Sequence, residues 1–202
     1  MKDNPRTQAA RSAATKDALI RAARPLFAAH GFAGVATEAI VRAAGVTRGA
    51  MYHHFADKTE LFAAVFEAVE VDLTTGIGAA VDGSTETDPV ALMKLGARGW
   101  LAACADPEVH RIALIDAPVV LGWERWREIG MRHGMGLVQN ILAWAIEAGR
   151  VRQQPVAPLA HILIGALDEA ALYIARADDP DQARAEMNAV LDQVIDALAV
   201  PA

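Results

Sequence analysis

Cysteine is almost absent from this 202-residue chain, Cys104 being the single one. An internal disulfide is therefore excluded, and a reducing compartment such as the cytoplasm is expected. Catalytic signatures are missing as well. No HExxH, CxxC, GxSxG or Gly-rich phosphate loop occurs, and His53 and His54 lack a partner at metal-ligand spacing. Cys104 and His110 are too loosely related to propose a nucleophile and base, so a buried structural thiol is the simpler reading. No catalytic residue, metal or cofactor is expected. Apolar runs stay short of the roughly 18 residues that a membrane span requires. The N-terminal KDNPRTQAARSAATK has no apolar core, which argues against a secretory signal.

Aromatics are scarce too, at 5%, while apolar residues reach 53% with Ala and Leu prominent. That balance favours helices packed through small and aliphatic side chains. The net charge of −6 would ordinarily argue against nucleic acid, but it is unevenly spread. Residues 1–60 carry nine Lys/Arg against five Asp/Glu, whereas residues 61–202 carry ten against twenty. The basic end can still meet phosphates, because charges beyond about 10 Å are largely screened near physiological salt. Residues 1–14 are polar, basic and without a hydrophobic period, and read as a mobile arm. In it Lys2, Arg6 and Arg11 are candidates for the DNA backbone or minor groove.

The most informative stretch is Thr37 to Leu61, TEAIVRAAGVTRGAMYHHFADKTEL. It reads as a short helix, a turn at Gly45, a second short helix and the capped start of a third. Ile40, Ala43, Ala44 and Val46 supply an apolar face. Thr47 is placed to cap the helix that carries Arg48, Tyr52, His53 and His54. A short helix with a donor-rich, sterically open N-terminus, propped on another at a Gly turn, is the layout of a DNA-reading helix-turn-helix. Before it, Leu19, Ile20, Ala23, Leu26 and Phe27 repeat at helical spacing despite Pro25, and Gly31 is placed to stop that helix. After it, Asp57 with Glu60 has the pattern of a capping box ahead of a long amphipathic helix expected to fray at Gly76 and Gly78.

The run AGVTRGAMYHHFADKTEL, with LIRAARPLFAAHGFAGVATEAI before it, strongly resembles the N-terminal DNA-binding domain of the TetR/AcrR family of bacterial transcriptional regulators. Physics and resemblance agree on Arg48 as the candidate for a bidentate contact to guanine. Thr47, Gly49 and Ala50 are close-approach positions. The resemblance implies phosphate contacts at Tyr52 and His53, with His54 beside them, and Lys58 is expected to reach phosphate from the next helix. Thr37, opening the first short helix, completes the expected DNA-binding set.

Further along, Asp88-Pro89 and Asp106-Pro107 each pair a cap with proline at a helix start, the second helix ending at Pro118. A stretch from about Trp123 to Ala148 contains Gly130, Gly134 and Gly136, where close packing or a kink is expected. Two final helices show broad apolar faces, Leu159, Ile162, Leu163 and Leu167 on one, Leu191, Val194, Ile195 and Leu198 on the other. About nine helices and no convincing strand make the chain all-α. The expected division is an arm over residues 1–14, the helix-turn-helix domain over 15–60 and a larger helical domain over 61–202.

The resemblance implies a homodimer paired through those two faces, a palindromic double-stranded operator and a small-molecule effector held inside the larger domain. Phe66, Trp100, Cys104, His110, Asp116, Trp123, Trp126, Met131, Trp144 and Asp168 are the candidates for that pocket, a mostly apolar site with a few polar groups. The expected function is a repressor released by its effector. The alternative is a helical ligand-binding or protein-interaction module with weak, sequence-insensitive DNA affinity.

Overall fold

The computed structural model describes residues 5–200. It contains nine helical segments among them, and the only bridge of strand type joins Val151 to Ala199. The chain forms two compact units that do not follow the expected boundary at residues 60/61. One combines the residues up to Val69 with Pro107–Trp126, and the other combines Glu70–Asp106 with Arg127–Ala202.

In the first unit, α1 spans Pro5–Gly34. Its start corrects the expected arm, since residues 5–14 are helical. Ala9, Ala10, Ala13 and Ala14 are strong helix formers, and a helix already nucleated downstream extends through them cheaply. Lys2 lies outside the described residues, as does the side chain of Arg6. Pro25 sits inside α1 on its exposed side, where the carbonyl it leaves unbonded faces water. Gly31 ends the regular winding at φ 67°, ψ 168°, a region that only glycine occupies freely, and a methyl group there would run into the Arg111 guanidinium.

The helices α2 (Thr37–Ala44) and α3 (Arg48–His54) both pack on α1. Gly45 closes α2 in the left-handed region, with Gly45 N–H donating to Arg42 and Val46 N–H to Val41, a Schellman pair. Of the expected apolar face Ile40 is buried, Ala44 and Val46 are half-buried, and Ala43 is exposed. Met51 and Phe55 seat α3 on a core built from Leu19, Phe27, Phe62 and Phe66. The Phe27 and Phe62 rings meet edge to face at 5.1 Å.

The fourth helix, α4, spans Lys58–Asp82. Its cap is half a box: Glu60 N–H donates to Asp57 Oδ1 at 2.9 Å, while the Glu60 carboxylate turns to Arg125 at 2.6 and 2.8 Å instead. The helix does not fray at Gly76 and Gly78. Gly78 faces Leu137, where a Cβ would make ordinary contact at 3.8 Å.

A helical segment over 107–120, α6, runs past Pro118, and its middle, His110–Asp116, is π-helical. It is pinned within the first unit. Arg24 pairs with Glu108, and Phe32 N–H donates to Asp116 Oδ2 at 2.7 Å.

The second unit is built from α5 (Pro89–Ala103), α8 (Val156–Ala175), α9 (Pro180–Leu198) and the parts of α4 and of α7 (Trp123–Glu147) that fall within it. Asp88 caps α5 and Asp179 caps α9. The core joins Val90, Met93, Ala97, Leu142, Ala145, Leu159, Leu163 and Ile195. Salt bridges Arg98–Asp192 and Lys94–Asp196 tie α9 to α5. By length and composition α8 could cross a membrane, yet it gives Leu159, Ala160 and Leu163 to this core and carries a charged residue, Asp168. The glycines of α7 are not close-packed: a Cβ at Gly130, Gly134 or Gly136 would meet nothing within 4 Å.

Gly31→Ala combines a forbidden φ with a clash. It is expected to lower stability by about 1–3 kcal/mol in urea unfolding, while Gly130→Ala should be neutral or stabilising.

Candidate functional site

The reading helix is prepared by its cap. Thr47 Oγ1 accepts from Ala50 N–H at 3.1 Å, which satisfies one free donor and leaves Arg48 and Gly49 exposed at the helix start. At Gly49 a side chain would meet only Thr47 Oγ1, at 4.0 Å, so the position is open to an approaching partner. Burial of Met51 and Phe55 turns Tyr52 outward at 43% exposure, along with His53, while His54 and Ala50 are half-buried. Thr37 is half-buried at the start of α2, whose capping position, Ala36, offers no side-chain acceptor.

Arg48 is not idle in this state. Its guanidinium donates to Glu38 Oε1 at 2.7 Å and lies 5.5 Å from the Tyr52 ring centre. Glu38 also lies in the first turn of α2, where its charge suits the helix dipole. Both partners of this pair are exposed, so the bond is readily exchanged for another. Gln8, Arg11, Ser12 and Thr15 of α1 line a shallow depression together with His53 and His54. Arg11 and the two histidines, far apart in sequence, therefore share one surface.

Lys58 departs from expectation. Its ammonium donates to the carbonyls of Phe32 at 2.8 Å and Val35 at 3.0 Å, and lies 4.1 Å from the centre of the Phe32 ring. Two of its three donors thus close the turn between α1 and α2 rather than reaching outward.

The expected effector residues do not form one site. Phe66 is buried in the first unit's core, and Trp126 is buried there with its indole N–H on the Ala113 carbonyl at 2.8 Å. Asp116 is occupied by Phe32 N–H and by Arg111 at 3.2 Å. Trp123 is exposed beside Trp126, and His110 is half-buried in the π segment. In the second unit Trp144 is exposed and Met131 half-buried.

Cys104 and Asp168, also in the second unit, belong to a cluster completed by two residues not anticipated, Glu70 and Arg127, in which Cys104 and Glu70 are buried and the Asp168–Arg127 pair is half-buried. Asp168 accepts from Arg127 at 2.6 Å, yet burial outweighs that pairing and raises its carboxyl to about 6. Glu70 is 4% exposed and has no cation at hand. Burial, reinforced by Asp168, pushes its carboxyl up to about 8. The same burial, with both carboxylates nearby, pushes the Cys104 thiol up, so it is inert as a nucleophile. A signal for Glu70 was available: it follows Phe66 by one turn and precedes Leu73 by another, on the apolar face of α4.

The expected pairing faces also divide. Leu159, Leu163, Leu191 and Ile195 are buried in the chain's own core, with Leu167 and Leu198 packed against it. Ile162, at 67% exposure, and Val194 remain outward, joined by Tyr173 and Val190.

A capped, exposed reading helix on a turn closed by Gly45 defines a helix-turn-helix DNA reader. Residues 19–65 match the model of the bacterial regulatory proteins of the tetR family, and residues 90–198 match a tetracyclin repressor-like C-terminal domain. The chain belongs to the TetR family and is a DNA-binding transcriptional regulator; proteins of this family are not normally enzymes. It is 30% identical to a TetR-family transcriptional regulator of Pectobacterium atrosepticum, with a TM-score of 0.84 over 95% of this chain and 97% of that one. It is 24% identical to the Tn10 TetC protein of Escherichia coli over 75% of each chain. RolR, solved with the ligand resorcinol, shares the fold at a TM-score of 0.73 and 22% identity, covering 96% of this chain and 98% of that one. Regulators of this family form dimers, bind operators and bind small molecules.

Glu70 makes stability depend on pH. Its raised value means the folded state keeps a proton that the unfolded chain has lost, so stability is full below about pH 4.5 and declines as pH rises toward 8. Glu70→Gln should remove that decline and gain on the order of 3–5 kcal/mol over the parent by pH 8. Urea midpoints at pH 5 and pH 8.5 measure it; parallel curves for the two proteins would contradict the assignment.

Proposed function

We propose that the chain acts as a cytoplasmic homodimeric repressor, held on a palindromic operator through α3 and released when a small molecule enters the second unit. The observation that carries this reading is the Thr47-capped start of α3, with Arg48, Gly49, Tyr52 and His53 all presented outward. In the major groove Arg48 exchanges Glu38 for guanine O6 and N7. Tyr52, His53 and Arg11 meet phosphates around it. The surplus of positive charge in residues 1–60 supports placing DNA at this end.

Two reading heads about 34–36 Å apart would contact successive major-groove faces. Exposed Ile162, Tyr173, Val190 and Val194 on α8 and α9 support a pairing surface there. An effector that favours one separation of the heads by about 1–3 kcal/mol changes operator affinity several-fold to about a hundred-fold, and operator weakens effector binding by the same factor.

Arg48→Ala should lose about 1–3 kcal/mol of operator affinity and relax preference at one base pair. Selection of bound sequences from random DNA with both proteins reads this directly, and unchanged specificity would remove Arg48 as the base reader. For the dimer, Ile162→Glu with Val194→Glu should give folded monomers in sedimentation. Leu191→Glu should instead unfold the chain, at a cost of about 3 kcal/mol or more for a charge placed in its core. Retained dimers after the double change would put the pairing surface elsewhere.

A further inference from the structure

The interior of the second unit holds more negative groups than its own residues balance. Asp168 on α8 has Arg127 of α7, and Gly165, one turn earlier, leaves that guanidinium its room, since a Cβ there would lie 3.5 Å from Nη2. Glu70 on α4 has no equivalent. It is buried within electrostatic reach of Asp168 and makes no side-chain hydrogen bond among the described residues. Cys104, just past the end of α5, is close enough to both carboxylates to feel their charge. Trp100 lies one turn before Cys104 on the same face of α5, and its buried indole N–H has no acceptor. Two carboxyls, the guanidinium paired with one of them and a thiol therefore lie together, and an orphan indole sits one helical turn from that thiol. An unpaired buried carboxyl and an unsatisfied N–H each cost folding free energy, which a ligand supplying their partners would recover.

A metal ion is a poor occupant. Among the described residues no group of three His, Cys, Asp or Glu is arranged to hold one. A neutral ligand could satisfy the indole N–H but would leave the second carboxyl without a counter-charge. An organic cation supplies the missing counter-charge, and the face of an indole ring suits it. The surplus of ten acidic residues over residues 61–202 also raises the local concentration of cations.

We propose that Glu70 and Trp100 form the recognition end of a binding site for an organic monocation, an aryl or alkyl ammonium whose charge sits against Glu70 and whose body lies against the indole. Asp168, held by Arg127, adds negative potential without being neutralised by the ligand. Because the free Glu70 carboxyl carries a proton at neutral pH, binding of the cation expels it. The other titratable groups within electrostatic reach of Glu70 are Asp168 and Cys104. Burial pushes the Cys104 thiol up, so it keeps its proton across pH 6–8, and the released proton is assigned by losing it in a Glu70 variant.

This inference rests on the effector reading only in its link to DNA. The test is calorimetry of the full-length protein with tetraethylammonium, phenyltrimethylammonium and benzyltriethylammonium, beside two neutral compounds, tert-butylbenzene (the uncharged isostere of phenyltrimethylammonium) and resorcinol. At least one cation should bind about tenfold or more tightly than both neutral compounds. That cation should release a proton on binding, seen as a heat that varies with buffer. Glu70→Gln should lose the preference and the proton, and Glu70→Met, of similar length and apolar, should behave alike. Both variants should melt no lower than the parent. Binding of no cation, equal binding of a neutral compound, or unchanged cation affinity in both variants overturns the proposal. Operator binding followed with the same compounds separates the two readings. A Glu70-dependent cation that leaves operator affinity fixed keeps the site and removes the effector role. Release by resorcinol without cation binding does the reverse.

Discussion

The reading head depends on one ammonium group. Lys58 gathers the carbonyls of Phe32 and Val35, at the two ends of a turn that contains no regular hydrogen-bonding of its own kind beyond a single Val35 to Phe32 contact, and holds them to the first turn of α4. A charged donor shared between two carbonyls is among the stronger bonds available at a half-buried site. The Phe32 ring, thus fixed, packs edge-on against Phe62, and that contact continues into the core on which α3 rests. Where a lysine at this position reads as a phosphate ligand in sequence, in the fold it decides the angle at which α2 and α3 leave α1. Outward presentation and domain geometry are consequently drawn from different residues of one short motif: Arg48 and Tyr52 face outward, and Lys58 faces in.

Local chemistry was readable without the structure. The Thr47 cap, the left-handed Gly45, the stop at Gly31 and the Asp88 start all depend on residues within a turn of one another. What escaped depends on distant partners. An apolar stripe on a helix records that something covers it, not whether the cover is the same chain, so Leu191 and Val194 looked alike although one is core and the other surface. Trp126 and Asp116 looked like pocket residues because their types suit a pocket. Their partners, Ala113 and Phe32, lie in segments that only tertiary structure brings near. The helical start of α1 was missed for the opposite reason: alanine carries no hydrophobic period, yet it extends a helix well.

The two units invest their polar groups differently. In the first, buried polar atoms among the described residues are matched, as with the Trp126 indole and the Phe32 amide. In the second, matching stops short: Glu70 and the Trp100 N–H are left inside. A protein that kept such groups merely for packing would do as well with a glutamine or a leucine at Glu70.

The π-helical turn over His110–Asp116 has a consequence for how this protein tolerates change. In an α-helix, residues five apart point about 140° away from each other. The wider i to i+5 winding brings them over one another, and so Arg111 and Asp116 stand together against Gly31 and Phe32. What matters at this place is a count of residues rather than their identity. Substitutions scattered along the segment would leave the count intact, whereas removal of one residue would rewind it as an ordinary helix and turn Asp116 away from the Phe32 amide with every side chain still present.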